Sequence, residues 1–222
     1  EICAIASKNG LSIGEDACES LGASYKGTMT GTMGDTGFFS LDFGKTITSG
    51  EGGFILTNDA EIYFKMRSFH DHGHDYLKGI PRGLDTATNV GFNYRMTEMQ
   101  AAVGIEQLKK LDHILSSNRR HKAFLKSGLA DRNLALSFRR ITDPEGELAD
   151  TLMFFLESEE AASSVVKNLA EEGLGTKNVP DAMNWHFAAN WGHIWKNTAY
   201  AECYETEWSD VPSPLQADAR ST

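Results

Sequence analysis

The sequence is short of basic residues and of long apolar runs. Its 222 residues include 21 Lys or Arg against 31 Asp or Glu, which gives a formal net charge of -10 and a pI of about 5.1. Surfaces that bind nucleic acid usually carry clustered cations, so we expect no nucleic-acid partner. No apolar run approaches the ~20 residues that a helix needs to cross a bilayer, so we expect no membrane partner either.

Cysteine is scarce as well. Cys3, Cys18 and Cys203 are widely spaced and form neither a C-x-x-C pair nor a zinc-binding pattern. Free thiols in a reducing compartment are the simplest interpretation, which favours a cytoplasmic protein. Hydrophobic residues make up 41% of the chain and aromatic residues 10%, which is enough for a packed core and too much for a disordered chain.

The two ends of the chain lack the elements that usually open and close a domain. Residues 1–8 have the spacing of the last turns of an apolar-faced helix, Asn9-Gly10 is a helix stop, and residues 11–14 predict a short buried strand. The polar tail after Pro212 and Pro214 adds no closing element. We therefore expect the sequence to be an internal piece of a longer protein.

Strand and helix patterns alternate between the two ends. Residues 37–41 and 53–57 predict strands, and Asn58 or Asp59 can cap a helix that runs to about Phe69. Residues 97–100 read TEMQ, a capping box, and open one long helix that we expect to continue towards Leu125. This alternation predicts an α/β fold.

The pattern after the long helix changes character. Residues 151–157 predict a strand and residues 159–172 a helix, with a turn at residues 143–146 before them. A long helix commonly bridges two lobes, so we place a domain boundary near residue 130. Residues 1–130 would form part of a large α/β domain with the connecting helix, and residues 131–222 part of a smaller α+β domain.

The most informative stretch is residues 37–53, which read GFFSLDFGKTITSGEGG. A predicted strand ends at Ser40, and Lys45 follows in a loop rich in Gly, Thr and Ser. Freed backbone amides and hydroxyls in such a loop can approach an anion closely. A lysine held there is a candidate Schiff-base nucleophile, although a Gly-rich turn with an exposed lysine would give the same pattern.

Acidic residues stand after the preceding strand pattern, in the segment IGEDACE. Ligands of open α/β sheets bind at the carboxyl ends of the strands. Asp16 there can pair with a protonated ring nitrogen, which pyridoxal phosphate needs in order to act as an electron sink. The alternative is that Asp16 merely caps a helix.

Four segments carry a family resemblance in their order along the chain: EDACESLGASYKG, GTMGDTGFFSLDFGKTITSGEGGFILTND, the pair His72-Gly73, and NVGFNYRMTEMQAAVGIEQLKKLD. Together they resemble the DegT/DnrJ/StrS family of sugar aminotransferases, which depend on pyridoxal 5′-phosphate. The resemblance implies the fold-type I architecture, with part of its large α/β domain and part of its smaller α+β domain. It is strongest from about residue 1 to residue 115 and continues more weakly beyond.

The resemblance also implies roles for individual residues in holding the cofactor. Lys45 takes the place of the catalytic lysine that bonds the cofactor covalently, and Asp16 that of the aspartate on its pyridine nitrogen. Ser40 matches the serine on the cofactor phosphate. Asn93 matches an asparagine that reaches the phosphate of the partner subunit, which implies a homodimer with shared active sites. Glu19 stands where most relatives have a glutamine on the cofactor ring oxygen, and a carboxylate there would be repelled unless one group is protonated.

Histidine-rich segments are the remaining candidates. His72 and Arg95, which lie in motifs of the resemblance, and His186, in a late aromatic cluster, are expected to bind substrate; for the late cluster, packing in a small-domain core is an equal alternative. The alternating His70, His72 and His74 would also suit a metal site, but the family pattern offers a simpler account in which His72-Gly73 closes a helix. We therefore expect no metal.

The expected activity is transfer of an amino group from an amino acid, with glutamate as the expected donor, to a keto sugar. That sugar would be nucleotide-linked or a keto-octulosonate of lipopolysaccharide synthesis. Relatives that replace the lysine by histidine are dehydratases, so Lys45 favours transamination; other relatives eliminate with an iron–sulfur cluster, for which no cysteine set is present. A non-catalytic or truncated regulatory chain of the same family is the alternative of a different class.

Overall fold

The structure, a computed structural model, describes residues 1–75, 80–81, 84–85, 89–132 and 134–178. Helix α1 (Ile2–Asn9) ends at Gly10, whose φ of 64° is left-handed. The Leu11 amide donates to the Ala6 carbonyl at 3.0 Å and so closes the helix. The predicted strand over residues 11–14 is therefore wrong: Leu11 belongs to the helix cap and is 62% exposed.

The largest sheet among the described residues has three strands. Its order is β1-β4-β5, with β1 parallel to β4 and β4 antiparallel to β5. The first five strands of the chain are β1 (Gly14–Asp16), β2 (Ser24–Tyr25), β3 (Thr28–Met29), β4 (Thr36–Ser40) and β5 (Gly53–Thr57). β2 and β3 form a separate antiparallel pair. The strands predicted over residues 37–41 and 53–57 thus match β4 and β5.

Helix α2 (Ala60–Phe69) follows β5, and its N-cap is Asp59. The Asp59 carboxylate accepts from the amides of Glu61 and Ile62 at 2.8 and 3.0 Å. The chain after α2 turns back at Gly73, whose amide donates to the Ser68 carbonyl at 2.8 Å. Both ends of the predicted helix are therefore fixed by local chemistry.

The predicted long helix is two helices, α3 (Glu98–Leu108) and α4 (Leu111–Ala130). The capping box forms as expected, with Thr97 and Gln100 bonding each other's backbone. The prediction of one continuous helix is wrong because the Lys110 amide bonds to Gln107, three residues back, at 2.9 Å. The break re-aims the chain so that Leu111 and Leu115 enter the core.

One hydrophobic core joins these elements. Half-buried Phe54 and Met96 pack against it, and the Phe39 and Phe54 rings stack at 4.7 Å between centroids. Its buried members are Ala17, Leu21, Ala23, Phe39, Leu41, Ile47, Leu111, Leu115 and Leu148. They come from β4, the helix α4, the loops that follow β1 and β4 and, for Leu148, the segment before β7, so the core supports the carboxyl ends of β1 and β4.

The last described elements are β6 (Leu136–Phe138), β7 (Phe154–Leu156) and α5 (Glu159–Glu171), and β6 and β7 form a two-stranded sheet. The chain divides into two compact units, one of Glu1–Leu134 with Phe138–Phe154 and one of Ala135–Ser137 with Phe155–Thr222. Throughout the described residues, every helix is too short or too polar to span a bilayer.

Candidate active site

The carboxyl ends of β1 and β4 lie side by side because the two strands are parallel neighbours. Asp16, the last residue of β1, is in register with Phe38, and Ser40 ends β4 two residues further on. The Ala17 amide donates to the Phe38 carbonyl at 3.0 Å and extends this pairing past the strand. Two predicted site residues, Asp16 and Ser40, thus lie at one edge of the sheet.

The loop that carries Lys45 is closed at both ends and anchored in the middle. The Leu41 amide donates to the Gly52 carbonyl at 2.9 Å, and the Ser49 amide donates to the Leu41 carbonyl at 3.0 Å. Ile47, two residues after Lys45, is buried in the core with 1% exposure. A buried side chain this close in sequence fixes where the lysine emerges from the loop.

Glycine is required at the end of this loop. Gly52 has a φ of 128°, which L side chains rarely adopt, and a Cβ built there would lie 2.7 Å from the Met96 Cε. Met96 itself packs on the core just before α3, and the Gln100 side chain donates to the Glu51 carbonyl at 3.1 Å. The start of α3 and the end of the lysine loop are therefore held together.

Lys45 reaches back across the strand ends to Glu19. The two side chains form an ion pair in which the lysine is 19% exposed and the glutamate 83% exposed. Hydrogen bonding to Glu19 raises the pKa of Lys45, and the charges of Glu19 and Asp42 raise it further against the opposing effect of burial. The structure thus brings Lys45, Glu19, Asp16 and Ser40 to the same edge.

Asp16 is set up to remain an anion. Its Oδ1 accepts from the Cys18 amide at 3.1 Å. Hydrogen bonds from the side chain and backbone of Cys18 lower the pKa of Asp16, and the positive charge of Lys45 lowers it further. A carboxylate that stays ionised at neutral pH is the group that would keep a pyridine nitrogen protonated.

These groups fit pyridoxal phosphate by the chemistry of the donor set. An amine that can bond the aldehyde, a carboxylate for the ring nitrogen and a hydroxyl for the phosphate are all present at one strand edge. The Ser40 hydroxyl accepts from the Asp42 amide at 3.2 Å and can still donate its own proton to an anion. Glycines 44, 50 and 52, in the loop after β4, have no side chain that could cover its backbone amides.

Glu15, the neighbour of Asp16, has a role that sequence reasoning missed. Its carboxylate accepts from the amides of Gly31, Met33 and Gly34 at 2.8, 2.5 and 2.6 Å. It therefore fastens the 31–34 turn beside β1 and leaves the ligand edge to Asp16. The alternation of side chains along a strand was the available signal, since successive residues point to opposite faces.

Asn93 and Arg95 belong to a second group of contacts, centred on buried Asp71. The Arg95 Nε lies 3.3 Å from the Asp71 carboxylate and donates to the Asn93 side chain at 3.1 Å. Asp71 and Asn93 also form an isolated antiparallel bridge, and the His72 amide donates to the Phe92 carbonyl at 3.0 Å. These contacts bring Asn93, Arg95 and His72 to one another rather than to Lys45.

The other two histidines of the alternating set, His70 and His74, each have a polar partner of their own. The His74 Nδ1 lies 2.8 Å from the Asp85 carboxylate, and the His70 Nδ1 faces the Arg67 carbonyl at 2.6 Å. His186 lies outside the described residues. Within the part of the chain that the structure describes, no three His, Cys, Asp or Glu side chains are grouped to hold a metal ion.

Comparison with known sequences shows to which family the chain belongs. The profile of the DegT/DnrJ/EryC1/StrS aminotransferase family matches residues 1–210. The chain belongs to that family. It is 33% identical over 200 residues to GDP-perosamine synthase of Caulobacter vibrioides, an alignment that covers 87% of this chain and 51% of the synthase. The chain thus spans about half the length of this curated relative.

Solved structures agree with the fold. An aminotransferase from Psychrobacter cryohalolentis matches with a TM-score of 0.68 at 27% identity, over 78% of this chain and 49% of that one. GDP-4-keto-6-deoxy-D-mannose-3-dehydratase of E. coli, with bound hydrated PLP, matches with a TM-score of 0.68 at 27% identity, over 90% and 52%. The predicted fold class is confirmed: the chain is part of a fold-type I enzyme fold, and pyridoxal phosphate is the cofactor of the family.

Proposed function

We propose that the whole protein is a pyridoxal-phosphate-dependent aminotransferase that moves an amino group from an amino acid, with glutamate as the expected donor, to a keto sugar. The observation that carries the proposal is that Asp16 ends β1 and Ser40 ends its parallel neighbour β4, while Lys45, on the loop after β4, reaches Glu19 on the loop after β1. Membership of an aminotransferase family supports it. We also propose that residues 1–130 belong to the cofactor-binding domain and residues 131–222 to the smaller domain.

Bound pyridoxal phosphate supplies an electron sink that stabilises negative charge on the substrate carbon. Lys45 would hold the cofactor through its aldehyde carbon and then carry a proton between substrate carbon and cofactor carbon. Asp16, ionised at neutral pH, would keep the ring nitrogen protonated so that the sink works. Ser40 would donate its hydroxyl proton to the phosphate.

The sugar is proposed to be linked to a nucleotide and to serve cell-surface polysaccharide synthesis. Both the perosamine synthase and the dehydratase carry GDP in their names, which supports that class over a free keto-octulosonate. His72, Arg95 and His186 are proposed to bind the substrate. The enzyme is proposed to work in the cytoplasm as a homodimer in which Asn93 reaches the partner's cofactor phosphate.

Dehydration of a keto sugar is the second candidate, because one matched structure is a sugar dehydratase. Lys45 argues for transamination. A lysine amine can re-form its bond to the cofactor aldehyde after each turnover and so release an amino product, whereas an elimination ends with the amino group lost. A non-catalytic chain that only binds the cofactor is tested by the same experiment.

The test joins a covalent and a catalytic measurement. The whole protein is loaded with pyridoxal phosphate, reduced with borohydride and digested, and the modified lysine is located by mass spectrometry. We expect the label on Lys45, no label in Lys45→Ala, and an unchanged label in Lys65→Ala, a control lysine exposed on α2. A separate sample of the loaded protein, not treated with borohydride, is given glutamate and a panel of nucleotide-linked keto sugars.

An amino sugar in the product mixture supports transamination, and its absence with a deoxygenated keto product supports the dehydratase. Label on Lys45 with neither product supports a non-catalytic chain that only binds the cofactor. Label on a different lysine contradicts the assignment of Lys45 altogether.

A further inference from the structure

The proposed function does not use the ion pair between Lys45 and Glu19. Glu19 lies on the loop after β1 and Lys45 on the loop after β4, so the pair joins two separate segments at the strand ends. The glutamate is 83% exposed, and among the described residues its carboxylate accepts a hydrogen bond from Lys45 alone. Packing therefore does not account for its position over the amine.

The charge around Lys45 is one-sided. Glu19 and Asp42 are acids that act on the amine, the Cys18 thiol adds a small effect of the same direction, and Asp16 lies close enough for its pKa to respond to the lysine. Hydrogen bonding to Glu19 is the largest of the effects that raise the pKa of Lys45. Replacing the Glu19 carboxylate by an uncharged group therefore weakens the stabilisation of the ammonium form.

The charge state of Lys45 matters because only a neutral amine has the lone pair that attacks a carbonyl. The ammonium must first give one proton to a base. The amine nitrogen then bonds to the aldehyde carbon, and the aldehyde oxygen leaves as water with the two hydrogens that the amine loses. A partner that favours the ammonium form opposes the first of these steps.

We infer that Glu19 is a positioning residue that holds Lys45 as a paired ammonium until the cofactor arrives, and so sets the pH at which this lysine can react. The inference rests on the proposed function only where the cofactor is concerned, because the ion pair joins two side chains of the chain itself.

The first arm of the test measures the amine without any cofactor. The protein is trace-labelled with acetic anhydride across a pH series, and the labelling of each lysine is followed by peptide mass spectrometry. Glu19→Gln should lower the midpoint pH of Lys45 labelling by a few tenths of a unit, which is roughly two- to five-fold more label below the midpoint for an exposed pair.

The control is Glu61→Gln on α2, where Glu61 pairs with Lys65 at 2.6 Å; this glutamate is 77% exposed, close to Glu19, and its lysine is 69% exposed. It should move the midpoint of Lys65 and leave that of Lys45 in place. An unchanged Lys45 midpoint in Glu19→Gln overturns the inference, and so does an equal shift of Lys45 in Glu61→Gln. Because Glu19 is exposed, neither substitution should disturb the fold, which circular dichroism checks.

The second arm follows the visible absorption of the lysine–cofactor bond as pyridoxal phosphate is added to the unloaded protein. Glu19→Gln should form the bond faster than wild type at neutral pH, and the two rates should converge at a pH above both labelling midpoints. A rate ratio that stays constant with pH would mean that Glu19 acts on the cofactor itself, which overturns the inference. If Lys45 never forms the bond while its midpoint still shifts, the proposed function fails and the ion-pair role stands.

Discussion

At the scale of single residues, the adjacent carboxylates of Glu15 and Asp16 have different roles. Glu15 accepts three backbone amides of the 31–34 turn, whereas exposed Asp16 accepts the Cys18 amide and faces the charge of Lys45. The alternation of side chains along β1 separates them. A change of charge should therefore have structural consequences at one position and chemical consequences at the other.

We expect Glu15→Gln to lower the free energy of unfolding by about 1–3 kcal/mol, because the amide nitrogen of Gln cannot accept a hydrogen bond and leaves a backbone donor without its partner. Asp16→Asn should leave the unfolding midpoint in urea unchanged and slow the proposed turnover by orders of magnitude, since it weakens stabilisation of the transition state. Equal unfolding midpoints for the two variants, or normal turnover in Asp16→Asn, would contradict this division.

The reactivity of Cys18 gives a second measurement of the negative charge on Asp16. Burial raises the pKa of the Cys18 thiol first, and hydrogen bonding to Asp16 raises it further. Because the thiolate is the form that reacts, iodoacetamide should modify Cys18 more slowly than exposed Cys3 near pH 8. Asp16→Asn should speed the alkylation of Cys18 and leave that of Cys3 unchanged, and peptide mass spectrometry reads both. A faster reaction at Cys18 than at Cys3 in the wild-type protein would refute the account.

At the scale of elements, buried Ile47 anchors the lysine loop in the hydrophobic core. Ile47→Ala removes a side chain that is 1% exposed and should cost about 2–5 kcal/mol of unfolding free energy. The yield of borohydride-fixed cofactor on Lys45 should fall with it. Ile55→Ala on β5, where the side chain is 51% exposed, is the matched control and should change both quantities little. A greater loss in Ile55→Ala would show that the loop is not anchored through Ile47.

Sequence reasoning succeeded where an element is fixed by neighbours in the chain. The capping box at Thr97 and Gln100 and the Asp59 cap are local hydrogen bonds, so their residue types predict them. It failed where tertiary packing determines the course of the chain. The break before Leu111 turns α4 towards the core, and neither Lys109 nor Lys110 is a residue type that predicts a helix break. The exposed position of Leu11 was missed because its amide closes α1 instead of entering a ladder.

The candidate site follows the same division. The positions of Asp16, Ser40 and Lys45 could be predicted because these residues end or follow strands that the topology makes neighbours, whereas their roles toward the cofactor stay predictions. The pairing of Lys45 with Glu19 could not, because two loops of irregular backbone must meet for it to form. The structural role of Glu15 depends on a turn that lies well along the chain from it.

At the scale of the whole molecule, the role proposed for Asn93 requires a second subunit. Its side chain is exposed, accepts from Arg95 and lies in the group of contacts around Asp71 rather than in the group around Lys45. The proposed homodimer gives the Asn93 amide its target, the cofactor phosphate of the partner.

We expect two defective variants of the whole protein to complement each other. If each site takes Lys45 from one subunit and Asn93 from the other, a mixed dimer of Lys45→Ala and Asn93→Ala subunits has one site with both residues and one site with neither. Random mixing makes about half of the dimers mixed, so activity should recover to about a quarter of wild type. Loss of one charge-assisted hydrogen bond costs only ~1.5–3 kcal/mol, so Asn93→Ala is also measured alone. Subunit exchange is verified by mass spectrometry of differently tagged chains. No gain over the two parents despite complete exchange would mean that Asn93 does not act across the interface.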